Sequence, residues 1–159
     1  MLLREVARVT HGAGTLKAGV AEREAFLGGI GITREGTGFD LYDGSGLARQ
    51  NLTTPDSTVT LLRYMWQRPD RDFWLRSLPI GGVDGTLQDR FKHIAGAGRV
   101  HAKTGEMSHV NALSGYIDSA RHGWIAFSIM VNGTTGRDVA VHAFIDQLCA
   151  LFINESVRE

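Results

Sequence analysis

The sequence predicts an α+β fold, with helices and structured loops first and an antiparallel sheet backed by a helix last. Apolar residues recur at helical spacing at several points before residue 80. Three short segments after Arg99 read as strands: Val100–Thr104, Asn111–Ile117 and Trp124–Val131. A closing stretch carries Val141, Phe144, Ile145, Leu148, Leu151 and Phe152 as the apolar stripe of a helix. Helices followed by strands is the order of an α+β domain. The chain has 159 residues, enough for one domain with a real core. We read 1–159 as that domain, with 1–98 a mainly helical lobe with loops and 99–159 the strands and C-terminal helix.

The elements follow in order. Leu2, Leu3, Val6 and Val9 share helical spacing, and Gly12 and Gly14 end that helix. It has no capping residue ahead of it, so it reads as the later part of a longer helix. A second helix is expected from about Lys17 to Leu27, with Ala21, Ala25 and Phe26 inward and Gly28-Gly29 as its stop. Ile30–Tyr42 reads as irregular or partly extended, and YDGSGLARQNLTTPDS as a structured loop in which Gly, Asp, Asn and Pro cluster. Thr54 caps the next helix, Pro55 takes its first position, and Pro69 ends it. A short helix is expected over Asp72–Leu78 and a helical turn over Thr86–Phe91. The segment DSARHG suits a hairpin loop between the second and third strands. The third strand is almost wholly apolar, which predicts a central position buried on both sides. Asp138 in the first turn of the last helix suits the helix dipole.

Composition narrows the function. Lys+Arg and Asp+Glu balance at 17 each, so no global field draws the chain to nucleic acid or to an anionic membrane. Cys149 is the single cysteine, which excludes an internal disulfide and a cysteine metal cluster; it reads as a buried apolar residue. No apolar run approaches the roughly 20 residues of a membrane helix. Arg4 and Arg8 interrupt the first apolar stretch, so it is no signal peptide, and the chain as written is expected to stay in the cytoplasm. Gly28-Gly29-Ile30-Gly31 is no dinucleotide fingerprint, because no strand precedes it. His101 and His109 have no acidic or cysteine partner at ligand spacing, so no metal and no cofactor is expected.

Lysine is scarce, with only Lys17, Lys92 and Lys103. Lys103-Thr104-Gly105 lies on the first strand. A partly buried ammonium needs an anionic or carbonyl partner. Thr104 adds a hydroxyl, and Gly105 lets a ligand backbone lie close to the strand. Lys103 and Thr104 point to opposite faces, so both serve one ligand only where the strand borders a cleft. An extended ligand could then add as a further strand. Taken alone, the triplet also suits a strand end with one solvated lysine.

The surroundings of the triplet carry more. Asp43-Gly44-Ser45-Gly46-Leu47 with Arg49 and Asn51, then Pro79 with Gly82-Val83-Asp84-Gly85-Thr86-Leu87 and Arg90, then Val100 through Tyr116 occur in this order. Together they resemble the DGSGLSRxN, LPxAGxDGTLxxR and VxAKTGTLxxVxxLSGY segments of the class C penicillin-binding proteins. These are D-alanyl-D-alanine carboxypeptidases and endopeptidases. The resemblance implies the penicillin-binding protein and serine β-lactamase type of transpeptidase fold, an antiparallel sheet with flanking helices. It implies serine acyl transfer on peptidoglycan stem peptides, with β-lactams as ligands, outside the cytoplasmic membrane. Lys103 would supply positive potential and Thr104 would bond the substrate carboxylate. Gly105 completes the motif, and the Glu106 N–H would be an oxyanion donor.

The departures are as telling. None of the eight serines begins SxxK or SxN, the motifs of the nucleophile and its assisting serine. The resemblance therefore predicts the C-terminal portion of such an enzyme, starting just after SxN and lacking the first strands of the sheet. It predicts an exposed edge on the Trp124–Val131 strand. That edge would favour a partner: the missing N-terminal half, or a second copy. The alternative is a non-catalytic module that binds a peptide or cell-wall fragment in the same cleft. Ala48 replaces the usual Ser, and Glu106 replaces the usual Thr or Ser. Ser45 is counted with Thr104 and Glu106 as substrate-binding, although its Gly-flanked position suits hydrogen bonding within the loop. It is no nucleophile elbow, because Asp43 stands where GxSxG has its first glycine.

Overall fold

The computed structural model describes residues 1–35, 38–135 and 138–153. The chain forms two compact units, Met1–Tyr64 and Met65–Glu159.

The first unit begins with α1 (Leu2–His11) and α2 (Leu16–Gly29). Gly12 ends α1 in the left-handed region at φ 72°, and the Thr15 hydroxyl caps α2 by accepting from the Ala18 N–H at 3.1 Å. The two helices meet at Gly19, where an added Cβ would lie 2.5 Å from the Leu3 carbonyl oxygen. The expected inward set of α2 is corrected: Ala21, Ala25 and Phe26 are exposed, and Gly19 and Leu27 are buried. The inward stripe runs through buried Gly19 and Leu27 and half-buried Arg23. Its guanidinium donates to the carbonyls of Leu41 and Asp43 and so fixes the following loop. On α1 the spacing holds, yet Leu2, Val6 and Val9 are exposed and Ala7 is the buried residue. The helix α3 (Pro55–Gln67) starts at Thr54, whose hydroxyl accepts from the Ser57 N–H at 3.1 Å.

The second unit holds α4 (Arg71–Arg76), two 3₁₀ turns (Gly85–Leu87 and Ala97–Arg99), three strands and α5 (Asp138–Ile153). Strands β1 (Val100–Met107), β2 (Val110–Ser119) and β3 (Gly123–Asn132) form an antiparallel sheet in the order β1-β2-β3. Its register pairs Lys103 with Ser114 and Ser114 with Ser128. Val100, Ala102, Leu113 and Ile117 face α5 and build the core with Ile145, Cys149, Ile153, Leu87 and Phe91.

The expectation that the Trp124–Val131 strand is central is corrected. The central strand is β2, and β3 lies at an edge with its residues mostly half-buried. Among the described residues no strand pairs with the outer side of β3. Its apolar character on both faces therefore comes without burial on both faces. In α5 the buried residues are Ile145, Asp146, Cys149 and Ile153, whereas Phe144, Leu151 and Phe152 are exposed.

Two polar ties fasten α5. Asp146 accepts from Arg90 Nη2 at 2.6 Å, from Arg90 Nε at 3.1 Å and from the Phe91 N–H at 3.0 Å, with both side chains nearly buried. At the other end Asn111, 1% exposed, donates to Asp138 at 3.0 Å and shares 2.9 Å with His142 Nε2.

Candidate active site

The triplet occupies the outer edge of the sheet. The Ala102 N–H donates to the Pro79 carbonyl and the Gly81 N–H to the Val100 carbonyl, both at 2.9 Å. Even-numbered residues of β1 thus turn their main-chain groups away from β2. Strand periodicity carries Thr104 and Glu106 along the same edge. The Pro79–Gly81 segment covers only the start of it, with its bridge at Ile80–His101.

Lys103 and Thr104 point to opposite faces, as strand alternation requires. Lys103 stands on the face away from α5, in the row of Ser114 and Ser128, whose hydroxyls are 2.9 Å apart. Its ammonium donates to the Thr104 carbonyl at 2.7 Å, on the open edge. The Thr104 hydroxyl donates to the Thr86 hydroxyl at 3.0 Å. Thr86 is placed there by the turn it sits in. Asp84 accepts from the Ile80 N–H at 2.7 Å, and Gly85 takes φ 51° against the Pro79 ring.

Two motif glycines have different causes. At Gly115 an added Cβ would lie 2.1 Å from the His101 carbonyl oxygen and 2.6 Å from the Ala102 Cα, so packing between β1 and β2 requires glycine. At Gly105 it would meet only the Ala112 Cβ at 3.4 Å, an ordinary contact. Packing does not demand glycine at 105, and open space over the strand is what its bare backbone supplies.

Glu106 follows the triplet on the same face as Thr104. Its side chain is 57% exposed, and its carboxylate lies 3.9 Å from His142 Nε2, beyond hydrogen-bond reach. Asn111, its cross-strand partner, takes the short contact with His142 instead.

Ser45 belongs to the first unit. Its hydroxyl donates to Asp43 at 2.5 Å and accepts from the Leu47 N–H at 3.1 Å. Asn51 also donates to Asp43, at 2.7 Å, and takes the Tyr42 and Asp43 N–H groups on its own oxygen. The hydrogen bonds from Asn51 and then Ser45 hold the Asp43 carboxyl below the usual carboxylate range. A carboxylate so stabilised is a poor base, so Ser45 is a tie in its loop with no base to activate it.

The histidines near the triplet serve packing. The His101 ring meets Trp124 edge-on at 5.3 Å, and desolvation lowers its pKa below the usual imidazole value, against the pull of the Asp84 charge. His109 takes φ 65° in the β1–β2 turn, and its Nδ1 lies 2.7 Å from the Thr134 carbonyl. Among the described residues no group of three His, Cys, Asp or Glu side chains is placed to hold a metal.

Sequence reasoning passed over Thr86, Asn111 and His142. Thr86 lay inside a recognised segment but carried no assigned role. Asn111, the one amide among the apolar residues of its strand, was the available signal for the tie to α5.

Comparison with known proteins settles the lineage. The model of the D-Ala-D-Ala carboxypeptidase 3 (S13) family matches residues 1–151. The chain belongs to that family. It is 44% identical over 141 residues to a D-alanyl-D-alanine carboxypeptidase of Actinomadura sp. (strain R39), covering 86% of this chain and 26% of the relative. It is 37% identical over 101 residues to the D-alanyl-D-alanine carboxypeptidase DacB of Haemophilus influenzae, covering 62% and 21%. The crystal structure of penicillin binding protein 4 (dacB) from Haemophilus influenzae superposes with a TM-score of 0.84 at 30% identity, over 96% of this chain and 35% of that one. This S13 chain therefore has the α+β penicillin-binding fold. It spans about a quarter of the length of the curated carboxypeptidases it matches.

Proposed function

We propose that this S13 chain forms the Lys103-Thr104-Gly105 wall of a serine acyl-transfer cleft for peptidoglycan peptides ending in D-Ala-D-Ala and for β-lactams. The single observation that carries the reading is the open edge of β1. There the main chain of Thr104 and Glu106 is turned outward beside the Thr104–Thr86 hydroxyl pair and a bare Gly105. An extended peptide can pair along such an edge. Lys103 supplies positive potential, Thr104 bonds the substrate carboxylate, and the Glu106 N–H is one donor to the developing oxyanion. Ser45 orders a loop of the first unit through Asp43 and the Leu47 N–H.

The chain holds no SxxK and no SxN. The wall therefore binds without forming a covalent intermediate by itself, and serine peptidase activity belongs to an assembly that supplies the nucleophile. The outer edge of β3 is where such an assembly joins. It takes a strand from the rest of a longer protein or from a second copy. The reaction takes place outside the cytoplasmic membrane, where peptidoglycan lies. The absence of an SxxK serine also supports a second reading, a non-catalytic module that binds the same peptides.

The purified chain incubated with a labelled β-lactam and examined by intact mass is the test. The expected result is no adduct, with reversible binding of a D-Ala-D-Ala peptide that weakens roughly tenfold or more in Lys103→Ala and Thr104→Val. An adduct would reveal a nucleophile within this chain. Binding indifferent to both substitutions would remove the cleft from β1.

A further inference from the structure

Glu106 places a carboxylate on the wall that is read above as binding a carboxylate. The two sites lie close. Thr104 and Glu106 are two residues apart on one face, so their side chains leave β1 roughly 7 Å from each other. The cationic partner of the Glu106 carboxylate is His142, 3.9 Å away and charged only when protonated. Lys103 stands on the opposite face, with its ammonium on the Thr104 carbonyl. The His142 Nε2 is engaged with the Asn111 oxygen at 2.9 Å and stays 3.9 Å from the Glu106 carboxylate. Retreat is also blocked. The space behind Glu106, toward α5, is filled by buried Asn111 and its partners His142 and Asp138. The carboxylate therefore remains out on the edge, 57% exposed, facing whatever lies along the strand.

We propose that Glu106 is a charge-selecting residue of this cleft. It disfavours peptides with a free terminal carboxylate and favours peptides whose chain continues or is amidated there. The inference rests on the cleft reading given above and names its substrate class: internal or blocked D-Ala peptide bonds ahead of free C-termini. Two like charges about 7 Å apart at a water-exposed edge repel by an amount that corresponds to roughly a threefold change in affinity.

The test compares N-acylated D-Ala-D-Ala with its C-terminal amide, each titrated into the chain and followed by backbone amide NMR. The variants are wild type and Glu106→Gln, which keeps the main-chain donor and the side-chain size. The expected result is a rise of about threefold in the affinity for the acid relative to that for the amide in Glu106→Gln. In the wild type alone, raising salt to about 0.5 M should erase most of the difference between the peptides. A Glu106→Gln variant that shifts acid and amide equally, or neither, overturns the selection and leaves the cleft intact. Wild type that binds neither peptide overturns the cleft reading itself, and this inference with it.

Discussion

Asp146→Ala is the substitution whose cost can be worked from the contacts. Asp146 is nearly buried in α5 and accepts three donors, Arg90 Nε, Arg90 Nη2 and the Phe91 N–H. Removing the carboxylate strands a nearly buried guanidinium and a buried main-chain donor. Arg90 keeps its 3.3 Å bond to the His142 carbonyl and its place over the Phe91 ring, 5.8 Å from the centroid. An uncompensated buried ion costs about 3–5 kcal/mol, and the orphaned N–H lies within that range. We expect a loss of about 4 kcal/mol. With a urea slope of about 1–2 kcal/mol/M, the midpoint falls by roughly 2 M or more, read by far-UV circular dichroism. The double variant Arg90→Met with Asp146→Leu should recover at least half of the loss, since an apolar pair of similar volume replaces both charges. A single variant whose midpoint moves by less than about 0.5 M would refute the reasoning, because it would mean that water already reaches the pair.

Further outcomes follow from individual residues. Gly115→Ala should destabilise by about 2–3 kcal/mol, because the new methyl drives β1 from β2. Gly105→Ala should leave the melting temperature nearly unchanged and weaken peptide binding; equal melting losses in the two variants would contradict the difference in their surroundings. Burial, reinforced by the Asp146 charge, pushes the Cys149 thiol from its ordinary 9.0 up to about 12. Iodoacetamide at mildly alkaline pH should therefore label it only after unfolding, and stability held through neutral pH should fall as pH rises from about 9 toward 12. His101 runs the other way. Its pKa is lowered from 6.5 by desolvation, so the unfolded chain takes up the proton more readily. Stability from this residue is present above pH 6.5 and lost as pH falls below it, and His101→Phe should flatten the acid side of a melting-temperature profile.

Periodicity and turn chemistry made much of the fold legible. The Thr54-Pro55 start of α3, the glycine stop of α1 and all three strands lie where local sequence places them. The inward face of α2 was not legible. Ala21, Ala25 and Phe26 are apolar, yet the helix turns Gly19, Arg23 and Leu27 inward, because contact with α1 needs a glycine and the loop needs a guanidinium. The place of β3 was misread for a related reason, since apolar composition reports a demand for burial and says nothing of whether a neighbouring strand meets it. At the site, Lys103, Thr104 and Gly105 stood out in the sequence because a lysine between strand residues is rare in this chain. Thr86 and His142 could not stand out. Each matters through a partner, Thr104 or Asn111, that is 18 or 31 residues away, and only folding reveals the pairing.

The aromatic residues on the sheet face away from α5 have an optical consequence. Trp66 and Trp124 pack 5.4 Å apart, Trp66 packs on Tyr116 at 5.3 Å, and Trp74 donates its indole N–H to the Tyr116 hydroxyl at 3.1 Å. These are all three tryptophans of the chain, and all lie within Met65–Glu159. Tryptophan fluorescence, excited selectively, is therefore a reporter of the unit that bears the Lys103 strand. The unit spanning Met1–Tyr64 is dark in that channel and visible only through helical ellipticity. A fluorescence transition that parts from the ellipticity transition would mark the two units as separate cooperative blocks.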